Sequence, residues 1–574
     1  MKYKLKKTSN NNYNDIENVI DNILKMNGIE NSHIYLNPKK NSEYSYSLLD
    51  KMDVAIKCLL EHINNGDEIL VIVDSDSDGN MSASALINYL KDTFDNIKIT
   101  WKIHTGKQHG ITKDIDIPDN IKLLIVPDAG SNDYENHKEL KEKGVDIIVL
   151  DHHEAPKVSE DAIIVNNQLC KYPNKSLCGV GIVYKFLQAL DEELWQSKAD
   201  DYLDLVAIGE IGDSMDIKNL ETKYYIKQGL ENIKNKQLKA LFKKQEYSTK
   251  GVININNVAF YITPLINAMI RVGKQDEKEL MFKGFLEQYE DFDYKPKGDK
   301  PTEKEDIYTR VSRLASNAKS RQNKLRDKAL AEIEEIIYNK DKLKDKILLI
   351  NCNNKYNYNL TGVIAMKISD KFNRPCILLN KTKDGVYRGS GRNTDRNEVK
   401  DLKYIINSTG LAEGIGHAQA MGVNIQDSVP ETINKLNELL KDIEFDDDTY
   451  EVCFVVPFDE LEDEFVFQID LESGIWGKGL EEPLILIKNV EIKSNEIEVL
   501  GKKANTLKLT VDGVEFIKFN IDSSDELIKQ TSNWEDSDDK VFTLDIVGTC
   551  SSNEWNKEKK PQIKIKNYNM VSIK

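Results

Sequence analysis

The sequence predicts an α/β protein built from a parallel-sheet domain, a long connecting helix, a second α/β domain and a small C-terminal all-β barrel. Three observations carry this. Short β-branched runs alternate with helix-like segments between residues 51 and 165. A stretch without Gly or Pro covers residues 303 to 340. Short alternating strands fill the last 125 or so residues. Strand–helix alternation favours parallel pairing, because parallel neighbours need a crossover long enough to hold a helix. At 574 residues the chain exceeds a single core, and about 150 residues per domain gives three or four.

The elements follow in order. Residues 1–50 form a polar, Asn/Lys-rich N-terminal segment with few periodic stretches. The first α/β domain is placed at 51–300. Its strands are ILVIV (69–73), IKIT (97–100), KLLIV (122–126), DIIVL (146–150) and AIIV (162–165), with MSASALINYLKDTF (81–94) as a helix between two of them. Residues 217–290 read as mainly helical. The connecting helix is placed at 301–340 and the second α/β domain at 341–447. The acidic FDDDTY (445–450) marks a linker, and 448–574 form the barrel. Its strands are expected at EVCFVV, EFVFQI, LKLTV, KVFTLDIV and QIKIK.

Composition narrows the class. Hydrophobic residues make up 40% and charged residues 30%, a globular mixture. No apolar run approaches the roughly 18 residues that would span a bilayer, and the basic N-terminus has no apolar stretch behind it. No membrane segment or secretory signal is therefore expected. The seven cysteines are scattered without a CxxC pair, which predicts reduced thiols and a cytoplasmic setting. The net charge of −17 argues at first sight against nucleic acid. One basic channel on an acidic enzyme would still suffice to hold a strand.

The chemistry lies at strand ends. ILVIV runs directly into DSDSDGN, which places Asp74, Asp76 and Asp78 just past a strand's C-terminal end. Open α/β sheets bind ligands there, and hard divalent cations take oxygen donors. An EF-hand is excluded. Its last ligand would fall on Ala85, and a strand enters the loop where an EF-hand has a helix. KLLIVP ends in Asp128, DIIVL ends in Asp151-His152-His153, and the helical LDLVAIGEIG ends in Asp213. A parallel sheet brings such ends to one rim, so carboxylates and imidazoles converge there.

DxDxDG, a later Asp-x-Gly, the triplet DHH and a fourth Asp together resemble the DHH phosphoesterases. The resemblance implies two Mn²⁺ or Mg²⁺ ions, held by Asp74, Asp76, Asp78, Asp128, His152 and Asp213, with Asp128 bridging. It makes His153 the contact to the scissile phosphate, so that His152, His153 and Asp128 are the catalytic set. Further stretches resemble the RecJ single-strand DNA exonucleases within that family. AIIVNNQLCKYPNKSLCGVGIVYKF (162–186) and FYITPLINAMIRVG (260–273) do so in the first domain; the latter supplies Asn267 and Arg271, with Ile270 where the pattern has Gly. SNAKSRQ (316–322) is similar to part of the connecting helix. In the second domain, LTGVIAMKISDKFNRPCILL (360–379), GSGRN (389–393) and GIGHAQAMG (414–422) are similar to the DHH-associated domain. The last two are expected as Gly-rich turns that approach phosphate, with Ser390, Arg392, Gly416 and His417 as substrate contacts and Ile415 replacing a Gly. GIWGKGLEEPLI (474–485) and NEWN (553–556) resemble the RecJ barrel, which implies an oligonucleotide-binding (OB-like) fold for 448–574 in which Trp476 would stack a base.

The resemblance implies a 5′→3′ exonuclease on single-stranded DNA that releases 5′-mononucleotides in repair, recombination or replication. It would act as a monomer, with a single-strand-binding protein or helicase as partner, and thread its strand between the two α/β domains. Arg310, Arg313, Lys319, Arg321, Lys324 and Arg326 of the connecting helix would line a groove tracking the backbone. Two alternatives stand beside it. An oligoribonuclease or nucleotide phosphatase of the same family would have little use for a strand-binding barrel. A RecJ-like scaffold of a replication complex would have lost metal ligands that this chain keeps.

Overall fold

The structure, a computed structural model, describes the chain apart from residues 7–12, 114, 297, 299–300, 427, 446–448, 502–503, 522–524, 532–539, 556–557 and 574. The core of the expected linker FDDDTY and Asn556 of NEWN lie outside the described residues, as does the side chain of Trp555. The chain divides into two compact units. One comprises residues 34–325 with 477–480; the other comprises 1–33, 326–476 and 481–574.

The first unit is built on a five-stranded parallel sheet in the order Ile99–Ile103, Glu68–Val73, Ile121–Pro127, Asp146–Asp151, Ile163–Asn166. Leu70, Ile72, Leu124, Val126 and Val149 point into an apolar layer on one face with Leu140 of the helix Tyr134–Glu142. Helix Ser77–Thr93 packs with helices Gly179–Glu193 and Leu203–Gly212. The order has a consequence for function. The chain leaves Glu68–Val73 for the neighbour on one side, then returns to pair Ile121–Pro127 on the other. A crevice opens at such a reversal, beyond the carboxyl ends of the two strands. Those ends are Asp74 and Asp128.

The expected strand at 97–100 lies slightly later, at Ile99–Ile103. The stretch expected as one helix from 303 begins instead with a strand, Glu303–Asp306, which pairs antiparallel with Asp291–Tyr294 before the helix Ile307–Asn339. The hairpin engages the helix. Glu305 is buried and binds Arg310 and Arg313, whose guanidinium groups lie 4.4 Å from the ring centroids of Phe292 and Tyr294. Residues 1–50 are also more ordered than their composition suggests. Helix Val19–Met26 buries Val19, Ile23, Leu24 and Met26, and Tyr35 is enclosed with its hydroxyl donating to the Ile217 carbonyl.

In the second unit, a five-stranded mixed sheet runs Ala412–His417, Ala420–Ile425, Tyr387–Arg392, Cys376–Lys381, Leu348–Asn351. Only its last pair is parallel. A seven-stranded sheet follows in the order Phe454–Pro457, Ile485–Lys493, Val541–Trp555, Glu558–Ile573, Val514–Phe519, Thr506–Val511, Ile497–Leu500. The N-terminal strand Lys2–Leu5 pairs in parallel with Thr449–Val452.

EFVFQI, expected as a strand, is the helix Asp463–Leu471. Its buried residues are Phe465, Val466 and Ile469, a spacing that suits one helical face rather than alternate faces of a strand. Asp463 and Glu464 sit in its first turn, where negative charge is favoured. The helix packs against Val19–Met26. The segment Gly477–Leu480 belongs to the first unit. The Ile217 N–H donates to the Lys478 carbonyl, and a Cβ on Gly479 would fall 1.9 Å from Asp216. The cysteines described are all free, and no described helix is long and apolar enough to cross a membrane.

Candidate metal centre

The loop after Glu68–Val73 is arranged by its own carboxylates. Asp76 caps the helix Ser77–Thr93 and accepts from the Gly79 N–H at 3.0 Å. Asp74 accepts from the Gly110 N–H at 3.0 Å and faces His109 Nδ1 at 2.6 Å. Asp78 turns the other way. Its two oxygens accept from the N–H groups of Gly179 (2.7 Å) and Val180 (3.0 Å), the opening residues of helix Gly179–Glu193. Negative charge is favoured at a helix N-terminus, so this contact orients the carboxylate and offsets part of its burial.

Asp128 follows its strand with φ at +65°, a conformation that costs a non-glycine residue energy and is common at functional sites. Its N–H is tied to the Leu150 carbonyl at 2.8 Å. A Cβ on Gly179 would lie 2.3 Å from Asp128 Oδ1, so the close approach of the helix to this carboxylate requires a glycine. In the DHH triplet, Asp151 is a scaffold. Its Oδ1 accepts from the N–H groups of His152 and His153 and from His153 Nδ1 at 2.8 Å; its Oδ2 accepts from the Ser131 N–H.

The remaining ring points into the cluster. His152 Nε2 lies 3.2 Å from Asp128 Oδ1, 3.4 Å from Asp213 Oδ2 and 3.9 Å from Asp78 Oδ2. Asp128 Oδ1 and Asp213 Oδ2 are buried and make no hydrogen bond. Buried carboxylate oxygens without donors are costly, and several sharing one pocket repel each other. Burial, then neighbouring carboxylates, pushes Asp128 and Asp213 well above the usual carboxylate range and Asp78 up to about 6. Asp76 departs from this pattern. Burial pushes it up too, but His109, the Gly79 N–H, Lys107 and His153 outweigh this and hold it low. For His153, burial opposes the charge but Asp151 overrides it, raising the imidazolium to about 10. Cations would satisfy the orphaned oxygens and relieve the repulsion, so the donor set fits divalent metal. Three ligand groupings have the required proximity: Asp74, Asp76 and His109; Asp78, His152 and Asp213; Asp128, His152 and His153.

All six ligands expected from sequence thus gather at one rim, together with His153. Sequence reasoning missed His109. It follows the strand Ile99–Ile103 within six residues, and the rule that rim residues follow strand ends could have found it. Arg271 and Asn267 lie on one face of helix Thr263–Val272, and Arg271 is close enough to Asp76 for their charges to interact.

In the other unit, GSGRN is strand rather than turn, and GIGHAQAMG is two strands joined by a tight hairpin turn at 418–419. Gly389 is needed because a Cβ there would meet the Leu378 carbonyl at 1.8 Å, so strand packing accounts for this glycine. Ser390 shares a 2.9 Å hydrogen bond with Thr361, and Arg392 Nη1 donates to the Gly391 and Met421 carbonyls. Gly416 and His417 are exposed at the end of a hairpin. Trp476 is 1% exposed, so it serves as core and offers no face to a base. The connecting helix also departs from expectation. Arg310 and Arg313 bind Glu305, Arg321 binds Glu277 and Arg326 binds Asp327, so carboxylates compensate much of the basic charge.

Comparison with known proteins places this arrangement. The DHH family, N-terminal domain, matches residues 68–210, and the RecJ OB domain matches residues 454–567. A putative SPbeta prophage-derived single-strand DNA-specific exonuclease of Bacillus subtilis is 40% identical over 582 residues, covering 100% of this chain and 99% of the relative. The single-stranded-DNA-specific exonuclease RecJ of the same organism is 25% identical, covering 94% of this chain and 66% of the relative. Among solved structures, RecJ in complex with Mn²⁺ from Thermus thermophilus matches with a TM-score of 0.72 at 18% identity, over 97% of this chain and 77% of that one. The chain belongs to the DHH family, in its branch of RecJ-like single-strand DNA-specific exonucleases.

Proposed function

We propose that this chain is a divalent-cation-dependent exonuclease that hydrolyses single-stranded DNA from the 5′ end to 5′-mononucleotides. The observation that carries the reading is the set of buried, donorless oxygens of Asp128 and Asp213 facing His152 Nε2 at the sheet's reversal point. The relatives' names supply the substrate class. The RecJ structures with Mn²⁺ and with Mg²⁺ support divalent metal.

In this reading Asp74, Asp76, Asp78, Asp128, His152 and Asp213 would hold a pair of divalent ions, with His109 beside Asp74 as a further donor. A pair of divalent cations supplies water activation and charge stabilisation for both the attacking and the leaving oxygen. The chain's own residues do the rest. Asp151 keeps His153 cationic and fixes its ring, so that the other ring nitrogen can donate to a phosphate oxygen. Arg271 and Asn267 orient the strand from the adjoining helix. Arg392, Ser390, Gly416 and His417 of the second α/β domain are further contacts to the strand. The helix N-terminus at Gly179 holds Asp78 and thereby the cluster. No Ser or Cys nucleophile is required. The active unit is one chain, and a helicase or single-strand-binding protein presents its substrate.

Digestion of 5′- and 3′-labelled strands with Mn²⁺ or with a chelator tests this. Labelled mononucleotide should leave the 5′-labelled strand first, and only with Mn²⁺. Early release of the 3′ label would reverse the polarity. Cleavage confined to dinucleotides or RNA would favour the oligoribonuclease or phosphatase reading.

A further inference from the structure

A second group of ligating side chains lies away from the candidate centre. Cys58 and His62 stand four residues apart on helix Met52–Asn65 and so share a face. Asp146 opens the strand Asp146–Asp151. The thiol, an imidazole nitrogen and a carboxylate oxygen of these three half-buried residues all lie within 4.8 Å of one another. Asp146 and Asp151 are the two ends of one interior strand, so five residue steps of roughly 3.3 Å put this group at the opposite end of the strand from the DHH triplet.

We propose that Cys58, His62 and Asp146 form a further cation site, selective for zinc or another ion that accepts sulfur and nitrogen donors. The surroundings are those of a built site. His62 Nδ1 is 2.8 Å from Asp67 Oδ2, which leaves Nε2 aimed at Asp146 Oδ2, 3.2 Å away. A carboxylate behind a ligating imidazole fixes its tautomer and raises its basicity. Asp146 is oriented in the same manner, because Lys141 holds its Oδ1 at 2.6 Å and leaves Oδ2 facing the ring. Three protein donors of types S, N and O suit tetrahedral zinc with a water in the fourth position. Manganese and magnesium, which prefer all-oxygen sites, are disfavoured here. Binding replaces the Cys58 thiol proton with the ion and releases that proton to solvent. The ion would clamp the helix to the strand. The proposal does not depend on the nuclease reading.

Cobalt(II) is the probe, titrated into the full chain with Mn²⁺ present to occupy the oxygen-rich centre. A thiolate-to-cobalt charge-transfer band should grow to saturation near one equivalent, and added Zn²⁺ should bleach it. Cys58→Ser should abolish the band while leaving Mn²⁺-dependent hydrolysis unchanged. Asp67→Asn should weaken cobalt binding by about 10- to 100-fold. Absence of the band in the wild type, or its persistence in Cys58→Ser, overturns the proposal. Should Cys58→Ser not fold, X-ray absorption on the zinc-loaded wild type decides. A sulfur scatterer at about 2.3 Å supports the site, and nitrogen and oxygen alone reject it.

Discussion

Gly179→Ala is the perturbation whose consequence follows most directly from the structure. The added Cβ would stand 2.3 Å from Asp128 Oδ1, 2.5 Å from its Cβ and 2.6 Å from its Cγ. Carbon atoms need about 3.5 Å, so Asp128 or the helix start must move by roughly 1 Å. Asp128 is already held at φ +65° and has little freedom to yield. If the helix moves instead, the Gly179 N–H leaves Asp78 Oδ2, now 2.7 Å away. Either way a ligand is displaced. Overpacking costs about 1–3 kcal/mol of stability. A displacement of about 1 Å in a reacting constellation costs on the order of 100-fold in rate. The assay is Mn²⁺-dependent nucleotide release across a Mn²⁺ titration, with circular dichroism to confirm folding. The expected result is a folded protein with kcat/KM down about 100-fold and a raised Mn²⁺ requirement. Gly181→Ala is the control, because its Cβ would meet Glu210 and Leu177 rather than an expected ligand. It should lower the melting temperature with a much smaller change in Mn²⁺ requirement. Wild-type activity in Gly179→Ala, or equal Mn²⁺ defects in the two variants, would refute the reasoning.

Other expectations are separable from this one. Trp476→Ala should cost about 3–5 kcal/mol of stability through core loss and leave intrinsic strand affinity near wild type in the folded fraction; a selective affinity loss at unchanged stability would restore the base-stacking role. Arg392→Ala should slow hydrolysis by the equivalent of about 1.5–3 kcal/mol without altering Mn²⁺ binding, read by single-turnover kinetics. His137 is fully buried on helix Tyr134–Glu142, and burial lowers its pKa to about 4. The unfolded chain then binds more protons below about pH 6.5, so stability should fall as pH drops from 6.5 towards 4, by up to about 3 kcal/mol. His137→Leu should flatten that part of a denaturant-midpoint profile, and an unchanged acid limb would contradict the assignment.

The candidate centre was legible because its residues mark strand ends. Each of Asp74, Asp128 and His152 follows an apolar run whose period reveals a buried strand, and parallel strands align their ends. Asp213 was found through the end of an apolar helix. His109 escaped because its strand, Ile99–Ile103, was placed early and five residues stand between the strand's end and His109. EFVFQI was misread because alternating bulky residues fit both periods over six positions; burial of Phe465, Val466 and Ile469 decides for the helix. The glycines of GSGRN looked like turn residues because composition alone does not distinguish a turn from the close approach of two strands, and Gly389 is the latter. The basic face of the connecting helix was overestimated for a different reason. Its partner Glu277 lies far outside it in sequence, and Glu305 sits on the strand Glu303–Asp306 that the sequence reading took as the helix's first turn.

The most direct test compares wild type with Asp128→Ala for mononucleotide release from a single-stranded DNA substrate, each with Mn²⁺ and with a chelator. Asp128 approaches His152 within 3.2 Å and carries a buried oxygen with no hydrogen bond, so its loss would remove a donor that the cluster would otherwise offer to divalent metal. The account predicts brisk release by the wild type with Mn²⁺, none with the chelator, and none by the variant under either condition. Near-wild-type release by Asp128→Ala would contradict it.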